Sequence, residues 1–265
     1  MHIFRDGVFI VTGSGTGIGA ACARVLASGG GRVVMNYNRS EAEAQRVEAE
    51  CQSLGAETLL VQADVSDDAG CREIVRRTLD RWDRIDGLVN NAAITKRADP
   101  FDLEALSLED FLDVYRVNVG AAYQMARAVV PAMRCRGAGA IVNISSNVAM
   151  TGGGSSLAYT ASKGALNALT LALARVLGPE IRVNAVCPGI VNTRWMPQSV
   201  GSDQFDTLKR RFESASPMGR IAEPDDVADA VVWLLTGTTY CTGELVSIDG
   251  GIRLSGGQRP KAQKP

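Results

Sequence analysis

Tyr159 and Lys163 lie four residues apart in a stretch with helical periodicity, so their side chains share one face. A free tyrosine, with a pKa near ~10, is a poor proton carrier at neutral pH. A neighbouring ammonium favours the phenolate and lowers that value, which lets the pair move a proton at working pH. No other tyrosine has a lysine at this spacing: Tyr37, Tyr115, Tyr123 and Tyr240 are followed there by Glu41, Val119, Arg127 and Glu244. The single histidine is His2, so the sequence offers no internal Ser-His-Asp or Cys-His machinery and no histidine-based metal site. Cys22, Cys51, Cys71, Cys135, Cys187 and Cys241 are scattered without a Cys-x-x-Cys pair and read as reduced thiols, with no metal expected. Taken alone, a Tyr/Lys pair also fits a solvated helix face; its neighbours have to decide.

The second constellation is Thr12-Gly13-Ser14-Gly15-Thr16-Gly17-Ile18-Gly19, between an apolar run and a helical pattern. Glycines let the backbone turn sharply and approach a pyrophosphate closely, and the following helix offers free N–H groups to the charge. The spacing fits Gly-x-x-x-Gly-x-Gly (Gly13, Gly17, Gly19) rather than Gly-x-Gly-x-x-Gly. A second strand ends in Asn36-Tyr37-Asn38-Arg39-Ser40, with no acid before Glu41. A free ribose 2′-OH usually meets an Asp or Glu at this place. Arg39 and Ser40 suit a 2′-phosphate instead, which points to NADP(H) over NAD(H); the competing reading of Arg39 is a solvated loop charge.

The elements that would position these residues alternate. Strands are predicted at Val8–Val11, Arg32–Tyr37, Thr58–Gln62, Gly87–Asn90, Ala140–Ile144, Arg182–Val186 and Leu245–Ile248, the sixth broken by Pro188-Gly189. Helices are predicted over 18–28, from a Ser40/Glu43 capping box onward, from a cap near Ser66, over a long stretch 107–134, over 158–176, and from Glu223-Pro224. This order implies one doubly wound α/β domain of the Rossmann type, covering 1–255, with a parallel sheet of about seven strands flanked by helices. Segment 194–220 has weak periodicity and reads as a mobile lid, and 256–265 as a disordered polar tail.

Bulk properties narrow the partners. A chain of 265 residues, 46% hydrophobic and 22% charged, can bury a core without disulfide or metal staples. A net charge of -1 gives no case for nucleic acid. No apolar run is long enough to span a bilayer, and Met1–Gly7 lacks the apolar core of a signal peptide, so a cytoplasmic protein is expected.

Together these residues resemble the short-chain dehydrogenase/reductase family, from Thr12 to Gly251, with closest likeness to its 3-oxoacyl-acyl-carrier-protein reductase-like branch. The glycine turn matches, as do Asp64 after the third strand and Asn90-Asn91-Ala92-Ala93, where Ala93 replaces the family's glycine. Asn118 in Arg-Val-Asn-Val matches the tetrad asparagine. Ser146, thirteen residues before Tyr159, matches the serine, with Ser145 as competitor. Pro188-Gly189-Ile190-Val191-Asn192-Thr193 looks like the nicotinamide-contacting turn.

The resemblance implies an oxidoreductase moving a hydride between NADP(H) and a ketone or secondary alcohol. In it Tyr159 carries the proton, Lys163 lowers its pKa and holds the ribose, Ser146 stabilises the substrate oxygen, and Asn118 positions a water. The implied cofactor contacts are Gly13, Ser14, Gly15, Thr16, Gly17, Ile18, Gly19, Asn38, Arg39, Ser40, Asp64, Val65, Asn91, Ala92, Ala93, Tyr159, Lys163, Pro188, Gly189, Ile190 and Thr193. It also implies a small-molecule substrate and a homotetramer. Two alternatives stay open: an NAD-linked sugar or polyol dehydrogenase of the same family, and a non-catalytic dinucleotide sensor, which should have lost Tyr159, Lys163 or Ser146. An acyl-carrier substrate would need a basic docking patch, for which Arg134, Arg136, Arg175 and Arg182 are candidates. Substrate choice is assigned to 94–106, Asn147–Leu157 and Arg194–Pro217, with Gly152-Gly153-Gly154 leaving room and Trp195 and Met196 offering an apolar wall.

Overall fold

A computed structural model describes residues 4, 6–195 and 202–254. Seven strands form one parallel sheet in the order β3-β2-β1-β4-β5-β6-β7. They are β1 (Val8–Val11), β2 (Arg32–Tyr37), β3 (Thr58–Gln62), β4 (Gly87–Asn90), β5 (Gly139–Ile144), β6 (Ile181–Pro188) and β7 (Leu245–Ile248). Between them run α1 (Gly17–Ser28), α2 (Glu41–Ser53), α3 (Asp68–Trp82), α4 (Leu108–Tyr115), α5 (Ala121–Arg136), α6 (Val148–Thr151), α7 (Leu157–Leu177), α8 (Ser202–Ala215) and α9 (Pro224–Val232). The single-domain doubly wound fold expected from the alternation is the one observed. Among the described residues no helix is long and apolar enough to cross a membrane.

The strands bury both faces. In β1, Phe9 and Val11 join a core with α1 and α9, while Val8 and Ile10 join one with α3, α5 and α7. Strands covered on both sides by crossover helices are expected to be almost wholly apolar, as β1 is. The chain winds outward from β1 to β3 and then returns to β4, so the order reverses between β1 and β4. Open α/β sheets bind ligands at the carboxyl ends of the strands beside such a reversal. Thr12–Gly19 follows β1 there and Asn91 follows β4.

Four local predictions change. The stretch 107–134 is not one helix: α4 and α5 are separated by a π-turn at Arg116–Gly120. The capping box at Ser40 is not made: Ser40 stands at the cap of α2, where its carbonyl accepts from the Ala44 N–H but its side chain does not bond the helix. The cap of α3 is Asp67, which accepts from the Ala69 N–H, one residue beyond Ser66. β6 runs on through Pro188, which as the final residue needs no ladder N–H.

The segment read as a lid contains α8, a helix of 14 residues. Its Phe205 is buried, and Leu208 and Phe212 fall on the same side at helical spacing; interleaved charges mask that stripe in the sequence. Pro224 opens α9 as predicted, with Glu223 and Asp226 completing a capping box. His2, Met196 and the tail 256–265 lie outside the described residues.

Candidate active site

The glycine turn is held from both strands at the reversal. Thr12 Oγ1 accepts the N–H groups of Asn91 (3.0 Å) and Ala92 (3.1 Å). The Asn91 amide donates back to the carbonyls of Thr12 (2.9 Å) and Gly13 (3.0 Å). Gly13 has φ +63°, which a side chain would strain. A Cβ on Gly19 would come within 2.5 Å of Asn91 Nδ2 and 2.6 Å of the Gly13 carbonyl. The turn therefore requires glycine at both positions and leaves a bare backbone surface. The N-terminus of α1 opens onto it: Thr16 makes no side-chain cap and the first turn carries no acid. Its partial positive charge is left for an anion, so Gly13 to Gly19 fit a dinucleotide diphosphate.

At the end of β2, Asn38 donates to Asp64 Oδ2 at 3.0 Å. Ser66, and then Asn38, hold the Asp64 carboxyl below the usual range by hydrogen bonds. These two candidate adenosine contacts thus meet, with Val65 buried beside them. Arg39 is exposed, and Ser40 gives its hydroxyl oxygen to Arg194 at 3.0 Å. On the far side, Gly189 donates to the Ile248 carbonyl at 3.0 Å and Thr193 to that of Val191 at 2.8 Å. A Cβ on Gly17 would meet Thr193 Cγ2 at 3.3 Å, so the turn after β6 lies against the glycine turn.

The candidate proton-moving residues converge at the end of β5. Ser146 follows the strand and places its hydroxyl beside the Tyr159 phenol, where it favours the phenolate. Ser145 turns the other way and donates to the Lys163 carbonyl at 3.3 Å, so of the two serines it is Ser146 that meets Tyr159. Lys163 is buried, its Nζ 5.6 Å from the centre of the Tyr159 ring and 2.8 Å from the carbonyl of Ile144. Burial pushes the phenol up to about 12, against the opposing effect of Ser146. Burial likewise pulls the Lys163 amine down to about 8. The net effect on Tyr159 is opposite to the depression predicted from the Tyr/Lys spacing, because desolvation outweighs the amine at this distance.

Asn118 sits in the π-turn, a distortion that recurs at functional sites. Its Oδ1 accepts from the Ile94 N–H at 2.8 Å, and its Nδ2 donates to the Ile94 carbonyl and to Ser162 Oγ, each at 3.0 Å. A cavity of about 10 Å³ lies among Asn118, Lys163, Asn90 and Thr12. That is about the least room one water requires.

The chain is similar along nearly its whole length to known proteins. Residues 13–253 match the family model described as Enoyl-(Acyl carrier protein) reductase. A Streptomyces violaceoruber protein assigned as ketoacyl reductase 2 of the granaticin polyketide synthase is 37% identical over 247 residues, covering 93% of this chain and 96% of that protein. The L-rhamnose 1-dehydrogenase (NAD(P)(+)) of a Sphingomonas species is 32% identical over 256 residues, covering 95% and 98%. A solved structure from Burkholderia xenovorans, described as a short-chain dehydrogenase/reductase, superimposes with a TM-score of 0.87 at 37% identity, covering 94% of this chain and 98% of that one.

The chain belongs to the short-chain dehydrogenase/reductase family. As a short-chain dehydrogenase/reductase it is an oxidoreductase acting on CH–OH or ketone groups with a nicotinamide dinucleotide. Among the described residues no group of three or more His, Cys, Asp or Glu is placed to hold a metal.

Two features of this family member go further than the sequence reading. One is a buried polar ladder behind the site: Asn90 donates to Asn143 and Asn143 to Thr170, each at 2.9 Å. It joins β4, β5 and α7, and its members carry no spacing signal. The other is Trp195, whose ring centre lies 6.5 Å from that of Tyr159 at a tilt of 47°. The sequence offers it only as one of two wall residues. Of the four arginines considered for a docking patch, Arg182 is spent on the carbonyls of Leu234 (2.7 Å), Leu235 (2.9 Å) and Cys241 (3.2 Å).

Proposed function

We propose that this chain is an NADP(H)-linked ketone reductase, working in reverse as a secondary-alcohol dehydrogenase, with Tyr159 carrying the proton. The observation that carries the reading is the meeting of the Ser146 hydroxyl and the Tyr159 phenol at the end of β5, beside buried Lys163. The nicotinamide, when bound, supplies or accepts the hydride. Tyr159 gives its proton to the carbonyl oxygen as charge builds there, and Ser146 donates a hydrogen bond to the same oxygen. Lys163 is the residue to hold the ribose, its Nζ anchored on the Ile144 carbonyl. Asn118 fixes the backbone of Ile94 and bounds the water-sized cavity that reaches Lys163.

The preference for NADP(H) is supported by the absence of an acid from Asn36 to Ser40 and by exposed Arg39. A ketone rather than a sugar is supported by Trp195, whose ring centre lies 6.5 Å from that of Tyr159. Ile94, Met150 and Leu157, in the segments assigned to substrate choice, also expose apolar surface. A homotetramer is supported by the unburied apolar residues Leu108, Leu112 and Tyr115 on α4, and light scattering would give the mass.

A panel of keto-esters, cyclic ketones and aldoses, each run with NADPH and NADH at 340 nm (the nicotinamide absorbance), tests the reading. Ketone-dependent NADPH consumption is the expected result. Aldose oxidation with NAD as the only turnover would replace it with the sugar-dehydrogenase reading, whose support is the relative of that name.

A further inference from the structure

Arg194 follows Thr193 and reaches past the glycine turn to the start of α2. One guanidinium nitrogen pairs with the Glu43 carboxylate, and the other donates to Ser40 Oγ at 3.0 Å. The partners are 151 and 154 residues away in sequence. Ser40 and Glu43 are the two residues of the capping box that α2 does not form, so both oxygens that would cap the helix face Arg194 instead. Forgoing a cap is unfavourable, which makes the guanidinium a partner strong enough to compete with the helix. Its hydrogen bond is the main reason the Glu43 carboxyl lies below the usual range.

The surroundings are those of a phosphate site. A Cβ on Gly15 would touch the Ser40 carbonyl and Ala44 at 3.4 Å, and Thr193 packs on Gly17. The glycine turn, the start of α2 and the segment after β6 therefore meet at one spot, with Arg39 exposed beside them. A guanidinium fork matches phosphate oxygens as well as it matches a carboxylate.

We propose that Arg194 discriminates between coenzymes: Glu43 and Ser40 hold its guanidinium beside the glycine turn, and the 2′-phosphate of NADP(H) takes it over on binding. This rests on the NADP(H) reading above. A phosphate monoester carries more charge than one carboxylate and outcompetes it for the fork. Glu43, left behind, repels the same phosphate. Arg194 and Glu43 therefore act with opposite signs on NADP(H) and have little effect on NAD(H), which lacks the phosphate.

The test measures dissociation constants of NADPH and NADH for the full chain by quenching of tryptophan emission, together with the thermal midpoint without coenzyme. Losing a charge-assisted contact in Arg194→Met should raise the NADPH constant about tenfold, with NADH changed less than about threefold. Arg194→Lys, which keeps the charge and loses the fork, should fall between. Glu43→Gln should lower the NADPH constant by about threefold and leave NADH unchanged. If both variants weaken both dinucleotides and lower the midpoint, the pair only braces the fold and the proposal is overturned. An unchanged NADPH-to-NADH ratio in Arg194→Met overturns the role of Arg194 alone. A parent chain that binds NADH more tightly than NADPH overturns the NADP(H) reading, and the proposal with it.

Discussion

Lys163 donates from Nζ to the carbonyl of Ile144 at 2.8 Å, so the one buried lysine of the site is tied to the strand that delivers Ser146 two residues later. Burial lowers its pKa to about 8 from an ordinary 10.5. The sign for stability follows. Between those two values the unfolded chain holds the proton and the folded chain has released it, so stability rises with pH across that window. Below about 8 both states are protonated and the cost of the buried charge is carried in full. Lys163→Met removes this dependence. Urea midpoints measured from pH 7 to 10 should climb in the parent relative to Lys163→Met; parallel curves would contradict the assignment.

Tyr159→Phe removes the hydroxyl and keeps the ring against Trp195. General acid–base catalysis contributes about 10²–10⁴ in rate, so kcat should fall by roughly that factor. The glycine turn is untouched, so the coenzyme dissociation constant should stay within about threefold. Stopped-flow single turnovers and a fluorescence titration of the same preparation separate the two effects. A variant that keeps its rate on a confirmed ketone would falsify the role of Tyr159.

Adjacent Ser145 and Ser146 should behave differently. Ser146→Ala deletes the hydroxyl beside the phenol, and loss of one donor to a developing oxyanion costs about 10²–10³ in kcat. Ser145→Ala deletes a bond to the Lys163 carbonyl and should cost about 1 kcal/mol of stability with kcat nearly unchanged. Denaturant melts and initial rates on both variants check the contrast, and equal loss of rate in the two would contradict it.

What was legible in the sequence follows from what carries a local signal. The strands are short apolar runs bounded by turns, and β1 to β4 begin and end where the pattern places them. The glycine turn, Tyr159 and Lys163 announce themselves by residue type and spacing. The break between α4 and α5 does not: Arg116–Gly120 is rich in weak helix formers, but that composition does not specify a π-turn, and the helical periodicity runs on across it. Its π-turn comes with tertiary bonds from Asn118 to Ile94 and Ser162. The Ser40/Glu43 capping box failed for a similar reason: Arg194, more than 150 residues away, competes for both oxygens, and no local rule contains it. The phenol's pKa went the other way because spacing reports a neighbour but not desolvation.

Asn118 shows how much the π-turn supports. Asn118→Ala leaves the Ile94 N–H and carbonyl without the amide that pairs with both, and it strips one partner from Ser162. Each unsatisfied buried group costs about 1–3 kcal/mol, so a loss of roughly 2–4 kcal/mol is expected in part-relaxed surroundings. Hydrogen exchange should rise first in 94–98, the segment Asn118 fastens. A destabilisation below about 1 kcal/mol would mean that water replaces the amide at little cost.

Trp195 makes the last case, because its effect should depend on the shape of the substrate. The indole lies across from Tyr159, on the last described residue before 202. A ring-shaped ketone presents a flat apolar face to it, whereas a short acyclic ketone reaches Tyr159 without covering the indole. Packing a ring against an aromatic face adds about 0.5–1.5 kcal/mol beyond burial. Trp195→Ala should therefore lower kcat/KM about tenfold or more for a cyclic ketone once lost burial is included, and less than about threefold for the acyclic one. The two substrates measured side by side cancel any common change in the proton-transfer step at Tyr159. Equal losses for both would place the indole's role in holding the phenol, and a gain with the cyclic ketone would make Trp195 a block rather than a wall.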